Sequence, residues 1–445
     1  MTKSEKLYFL ATSSYLQTHL LSSIRTFGLN RFASNTTRAY KHLVTALFSL
    51  RRLSTMAQQV YKDDFQTEVI KVDRSSIHFS PEGKLSITDA NTQSALDKAA
   101  KILRQPGGVV AFPTETVYGL GGSSLCTESV KAIYAAKHRP ADNPLISHVS
   151  SIEMLKSKLL APGQEIPEVY KPLIETFWPG PLTIVLPVGD PEKSPISSAV
   201  TAHGPTFTVR LPVHPIARAL IAISGIPIAA PSANASTRPS PTQAAHVYHD
   251  LKGRIPLILD GGSCDVGLES TVVDGTVDPP MLLRPGGVPM EKIKEVGGPF
   301  WQKIVHVKKV AGKNEPVRTP GMKYRHYSPT AQVVMFLNSG NGIAATQNYI
   351  TEHQLIGKNI ALLRSKRFAE PEEGIFQIVR DLGRSGTEIQ KNMFAELREV
   401  DELGVDYIFV EGVPEDHEGL AIMNRLTKAS SVIVDGEKET VRCRD

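Results

Sequence analysis

Lys137, His138 and Arg139 stand together, followed by Pro140 and by Asp142, Asn143 and Pro144; far along the chain Ser232, Ala233 and Asn234 follow an apolar stretch ending in Pro231. These two groups supply two fixed cations, a hydroxyl and an amide. Cations placed beside hydrogen-bonding side chains hold polyphosphates and orient adenylates, although neither run has the glycine spacing of a Walker loop or a dinucleotide fingerprint. Lys137 and Arg139 fall at the end of a helix-like stretch holding Val130, Ile133 and Tyr134, where basic residues often do no more than complement the helix dipole. The prolines end that helix and stiffen the turn, which favours the anion-binding reading and sends Asn143 and His148 out on one side.

Other residues fit the same chemistry. Ser232 and Asn234 serve either as turn formers or as ligand contacts at the carboxyl end of a strand, where open α/β sheets gather ligands. Arg210 lies among Val209, Leu211 and Pro212; burying it demands an anion, and a carboxylate ligand would meet that demand. Ser270 in Gly267–Asp274 and Arg284 before Pro285 are candidates for a hydroxyl contact and a phosphate contact. His203, His214, His246 and His249 lack metal-ligand spacing, so no metal site is expected from them.

These groups need a frame. Residues 95–103 follow a helical spacing, stopped by Pro106, Gly107 and Gly108 before the strand-like Val109–Phe112. Pro113–Gly121 then reads as a polar, turn-rich loop. Further strands are expected at Leu182–Pro187, Thr206–Leu211, Ile226–Ala230, Ile255–Asp260 and Ser270–Asp274, with helices at Ser129–Lys137 and His214–Ser224. This alternation predicts an α/β domain on a mixed or twisted sheet. A proline-framed, tyrosine-rich segment from Thr319 to Pro329 separates it from a second, smaller α/β set: strands at Ala331–Leu337, Asn359–Leu363 and Tyr407–Val410, helices at Gly386–Asp401 and Gly419–Ser431.

The 445 residues exceed what one core ordinarily supports. Apolar residues make up 41% and no run is long enough to span a bilayer, so no membrane partner is expected. Cys126, Cys264 and Cys443 form no CxxC pair, which argues against a zinc framework or a disulfide scaffold and points to an intracellular chain. Lys and Arg number 50 against 45 Asp and Glu, a modest excess that partly resides near the N-terminus. No acidic residue lies between Lys6 and Lys62, while Arg25, Arg31, Arg38, Lys41, Arg51 and Arg52 recur among Ser, Thr, Leu and Phe. Residues 1–56 thus read as a mitochondrial presequence or as a disordered basic tail, with Met56 as a second start for a cytoplasmic form.

Taken in order, PTETVYGLG, KHRPADNPL, TVRLP, PSAN, ESTVVD, LRPGG and PGMKYRHYSP give a chain that resembles the YrdC/TsaC-like family of threonylcarbamoyl-adenylate synthases in its long, two-domain form. The resemblance implies an N-terminal extension over 57–91, a YrdC-like twisted mixed-sheet catalytic domain over 92–312, a linker over 313–330 and a Rossmann-like α/β domain over 331–445. It implies that L-threonine, bicarbonate and ATP give threonylcarbamoyl-adenylate and diphosphate, with the product passed to a complex that modifies tRNA beside the anticodon. By the same carry-over, Thr116, His148, Arg210, Ala230 and Ser270 hold L-threonine. Arg139, Asn143, Thr206, Ser232, Asn234, Ser240, Arg284 and Lys137 hold ATP, with either Tyr324 or Tyr327 approaching the nucleotide. Lys137 and Arg139 are the catalytic cations, and Mg²⁺ arrives bound to ATP, held mainly by phosphate oxygens and water. The alternative is a non-catalytic factor whose basic concavity holds tRNA or other double-stranded RNA.

Overall fold

The computed structural model describes residues 65–307, 327–437 and the backbone of 440–443. The basic leader, Met56 and Tyr324 lie outside the described residues. Among the described residues no helix is long and apolar enough to cross a membrane.

The strands run in chain order as β1 (Glu68–Lys71), β2 (Ile77–Phe79), β3 (Leu85–Ile87), β4 (Val110–Phe112), β5 (Gly119–Ser123), β6 (Ile146–His148) and β7 (Leu182–Pro187). They continue as β8 (Thr206–Arg210), β9 (Ile228–Ala229), β10 (Leu257–Asp260), β11 (Thr271–Asp274), β12 (Met281–Arg284) and β13 (Val305–His306). All but the β2–β3 hairpin join one sheet in the order β1-β10-β4-β5-β9-β6-β8-β7-β11-β12-β13. Parallel pairs such as β6–β8 and β7–β11 alternate with antiparallel pairs such as β4–β5 and β7–β8, so the sheet is mixed, as expected. Helices pack on it with apolar faces inward; in Ala90–Leu103, Leu96, Ala99 and Leu103 are fully buried.

The second sheet holds β14 (Gln332–Leu337), β15 (Ile360–Arg364), β16 (Ile378–Asp381), β17 (Tyr407–Glu411), β18 (Val432–Asp435) and β19 (Thr440–Cys443), in the order β16-β15-β17-β14-β18-β19. Its pairs are parallel except the closing β18–β19, and the crossover helices supply the Rossmann-like character.

Of the nineteen strands among the described residues, ten were not foreseen, β1, β2, β3, β5, β6, β12, β13, β16, β18 and β19, and two of them shape the site. β5, Gly-Leu-Gly-Gly-Ser, looked like part of a loop because glycine weakens strands in isolation; here a Cβ on Gly121 would lie 2.5 Å from Ile228 and 2.6 Å from Phe112. Close packing between strands demands glycine at that position. β6 is only three residues long, too short to show a period, and His148 lies within it rather than beyond a turn.

The two sheets share a buried seam. Gly267, at φ +78°, sits where a Cβ would be 2.4 Å from the Lys391 carbonyl oxygen, so the helix Gly386–Glu402 approaches its backbone directly. From that helix the fully buried Arg398 donates to the Pro239 carbonyl and to Asp250, Nη2 to Oδ2 at 2.7 Å. Arg238 adds a second cation 3.3 Å from Asp250. Burial opposes ionisation of Asp250, but Arg398, with His249 and Arg238, holds the carboxyl below the ordinary aspartate value.

Removing one partner of a buried pair leaves a charge uncompensated, so Arg398→Ala is expected to cost about 3–5 kcal/mol of unfolding free energy, measured by urea titration at pH 7. Because the folded Asp250 carboxyl is depressed, the advantage of the unsubstituted chain is full above the ordinary aspartate value of about 3.9. It is lost as pH falls through the depressed folded value. A variant as stable as the parent at pH 7 would show that this pair does not hold the seam.

Candidate active site

The site begins at the end of the helix Thr127–Lys137. Its last turn closes on His138, which adopts a left-handed conformation (φ 50°), and the Arg139 amide returns to the Tyr134 carbonyl at 3.0 Å. Lys137 is thereby turned inward, with 2% of its surface exposed. Its ammonium donates to the Ser232 and Asn234 carbonyl oxygens, while its own carbonyl accepts from the Ser236 hydroxyl at 2.8 Å. Lys137 thus pins the Ser232–Ser236 turn to the helix end. Burial, reinforced by nearby Arg139, draws its pKa well below the usual lysine value.

The same turn is held from the sheet side. Pro231, lacking an N–H, ends the β9 ladder, and the Leu120 amide reaches its carbonyl at 2.9 Å while the Ala233 amide reaches Tyr118 at 2.8 Å. Asn234 spends its amide donors on the Ala235 and Arg238 carbonyls and accepts the Ser232 hydroxyl. Arg139 lies over the Asn143 and Pro144 carbonyls at 3.4 Å. Asn143 is buried, and its Oδ1 has no partner among the described residues.

A second cluster lies at the ends of β6 and β8. Arg210 is 3% exposed and donates to Glu115 Oε1 at 2.9 Å and to Thr116 Oγ1 at 3.2 Å. Its other amino group, Nη2, stands 3.1 Å from His148 Nε2. The opposite ring nitrogen, Nδ1, faces the Ile146 and Ile228 carbonyls at 3.1 and 3.3 Å, so it carries the hydrogen and Nε2 receives Arg210. Burial, then the Arg210 charge, pushes His148 down to about 3, leaving it neutral. The carboxylate that burial of Arg210 demands is therefore Glu115, within the chain itself, which corrects the expectation that a ligand alone would supply it. One Glu115 oxygen, Oε2, has no partner among the described residues.

The third wall comes from β11 and β12. Arg284 donates Nε and Nη2 to the Ser270 carbonyl at 3.0 and 2.9 Å, and Nη2 to the Ser270 hydroxyl at 3.0 Å; that hydroxyl also meets Thr183 Oγ1 at 2.8 Å. Burial lowers the Arg284 pKa to about 10, with Glu269 opposing the shift, so it stays charged at neutral pH.

These three walls enclose one cavity of about 300 Å³, at the lower end of the range of small-molecule sites, about 300–1,000 Å³. Thr116, Lys137, Arg139, Asn143, His148 and Arg210 line it, as do Ala230, Ser232, Asn234, Ser270, Arg284 and Tyr327. Two expected residues do not. Thr206 lies at the far end of β8 from Arg210, opposite Pro187, and Ser240 is fully buried behind the wall with its hydroxyl on Glu269 Oε1 at 2.6 Å. Of the two linker tyrosines, Tyr327 faces the cavity; Tyr324 lies outside the described residues. Glu115 and Glu269 were not singled out from the sequence. Each lies within a motif already quoted, PTETVYGLG or ESTVVD, but the arginine it meets is far away in sequence.

A family model described as "Telomere recombination" matches residues 101–286, and one described as "Threonylcarbamoyl-AMP synthase, C-terminal domain" matches 288–431. A threonylcarbamoyl-AMP synthase of Schizosaccharomyces pombe is 50% identical over 390 residues, covering 82% of this chain and 95% of the relative. One from Bacillus subtilis is 44% identical, covering 78% and 96%. Among solved structures, Pyrococcus abyssi Sua5 complexed with L-threonine is 41% identical with a TM-score of 0.70, covering 83% of this chain and 99% of that one. Sequence, domain order and fold agree: the chain belongs to the threonylcarbamoyl-AMP synthase family, in the long form that joins a YrdC-like domain to a Sua5 C-terminal domain.

Proposed function

We propose that this chain converts L-threonine, bicarbonate and ATP into L-threonylcarbamoyl-adenylate and diphosphate. The observation that carries this reading is one cavity in which a neutral-histidine, buried-arginine corner adjoins a wall of three cations, Lys137, Arg139 and Arg284. The relative crystallised with L-threonine shares that fold over nearly its whole length.

In this reading Arg210, with Thr116, receives the threonine carboxylate, and Ser270 its hydroxyl. The threonine amine attacks the carbon of bicarbonate, giving a carbamate with loss of water, or that of carbon dioxide, giving the same carbamate with loss of a proton from nitrogen. A carbamate oxygen then attacks the α-phosphorus, the bond to the β-phosphate oxygen breaks, and diphosphate leaves. Carbamates decompose in water, so a recessed site that keeps the two reactants adjacent serves the reaction directly. Charge building on the phosphates is met by fixed cations that need no reorganisation. Lys137 contributes chiefly by holding the Ser232–Asn234 turn against the phosphate-facing wall, and Arg139 by direct contact. The carboxylate on the cavity wall, Glu269, already has both oxygens engaged, so Mg²⁺ enters as part of the Mg·ATP substrate, which it charge-neutralises. The labile adenylate is then handed to a tRNA-modifying partner that transfers the threonylcarbamoyl group beside the anticodon. A cytoplasmic chain starting at Met56 and a mitochondrial one carrying the leader are the two forms this reading anticipates.

The test is threonine- and bicarbonate-dependent release of diphosphate from ATP by the full chain; ATP turnover indifferent to threonine would refute the reading. Arg210→Ala is expected to raise the L-threonine KM on the order of 100-fold, the usual loss when a buried charged contact is truncated, while ATP affinity measured by calorimetry changes little. Arg139→Ala is expected to lower kcat about 10²–10³-fold, as for other aimed charge stabilisers, with the L-threonine dissociation constant preserved; near-normal turnover would remove Arg139 from the catalytic wall.

A further inference from the structure

Behind Arg284 lies a buried ionic group that draws on both sheets. Glu269 accepts the Ser240 hydroxyl on Oε1 and, on Oε2, Arg425 Nε at 2.8 Å. Arg425 belongs to the helix Glu418–Ala429 of the C-terminal sheet and is completely buried. Its guanidinium also lies 5.6 Å from the centre of the Tyr327 ring, and that ring faces the cavity. Although burial raises it, the Glu269 carboxyl is held at about 2, by Arg425 first and Arg284 second. Tyr327 is pushed up to about 12 by burial and then by Glu269, so it is neutral.

The group therefore contains two cations and one anion. Arg284 bonds Ser270 with Nε and Nη2 and has no protein partner on Nη1 among the described residues. Glu269, the adjacent carboxylate, is turned to Arg425 instead. We infer that Arg425 is a positioning residue for nucleotide: by engaging Glu269 it keeps that carboxylate from neutralising Arg284, whose charge then remains available to a phosphate in the cavity. This rests on the adenylate-forming reading above and adds that the C-terminal sheet supplies part of the nucleotide site. Without Arg425, Glu269 turns to Arg284, the remaining cation of the group, and the group loses its excess positive charge, leaving Lys137 and Arg139 as the cations of the wall.

The experiment uses the full chain and a non-hydrolysable ATP analogue. Arg425→Met keeps the aliphatic bulk and removes the charge; it is expected to weaken analogue binding about 10-fold or more while the L-threonine dissociation constant stays within about twofold. Adding Glu269→Gln to Arg425→Met removes the competing anion and is expected to restore most of the lost analogue affinity. A merely structural arginine would give no such recovery: if the double variant binds the analogue no better than Arg425→Met, or if both substrates weaken alike, the inference is overturned. Should Arg425→Met fail to fold, Arg425→Lys carries the test: analogue affinity close to the parent's supports the role, and parallel loss of both substrates refutes it. Failure of the adenylate-forming reading would appear separately, as an unsubstituted chain that releases no threonine-dependent diphosphate yet still shows the Arg425 effect on the analogue.

Discussion

Burying cations in a cavity sets the terms for everything else in this molecule. An isolated buried charge costs several kcal/mol, so each cation here is matched to a different kind of partner. Arg210 has Glu115, Arg284 has the Ser270 carbonyl with Glu269 alongside, and Lys137 has two backbone carbonyls from the turn it faces. The choice of partner decides what remains for a ligand. Carbonyl oxygens carry only partial charge, so Lys137 leaves positive potential in the cavity, whereas a full carboxylate on Arg284 would not. The position of Glu269 is therefore as consequential as that of the arginines.

This requirement explains why the fold is mixed rather than a simple parallel layer. β6 and β8 are parallel and end together, setting His148 beside Arg210; β9 runs against β6, so the chain leaves it past Ile146 and carries Ser232 to Gly119 at the start of β5. β7, β11 and β12 then carry Ser270 and Arg284 to the opposite wall. Three walls of one cavity come from strands separated by long stretches of chain, and only a sheet that changes direction places their ends together.

Much of this was legible from the chain alone. Leu182–Pro187 was read to the residue, and the prolines after Arg139 marked a real helix end, closed by His138 in a left-handed turn. These signals are local: apolar runs, a missing N–H, a spacing. What escaped notice was long-range. β5 reads as a loop until Phe112 and Ile228 are seen pressing on Gly121. Glu115 and Glu269 are ordinary acidic residues until their arginines arrive from positions far off in sequence. Arg398 and Arg425 fall on amphipathic helices where a charge usually faces water, and both are fully buried. Thr206, carried over from the resemblance, lies at the other end of β8 from Arg210, and the two ends of a strand face different surroundings.

The seam between the sheets ties these points together. Asp250 takes Arg398 on both of its oxygens, and Oδ2 also accepts the Ala235 amide within the turn that Lys137 clamps. Glu269 takes Arg425 and holds Ser240 within the wall that carries Arg284. Each carboxylate from the larger sheet thus accepts an arginine from the smaller one and, with its other bonds, orders a segment of the cavity. A seam that only joined two bodies could be built from apolar contacts at lower desolvation cost. Buried ion pairs whose second partners are site segments couple the packing of the C-terminal sheet to the shape and charge of the cavity wall, so the two sheets order one cavity together.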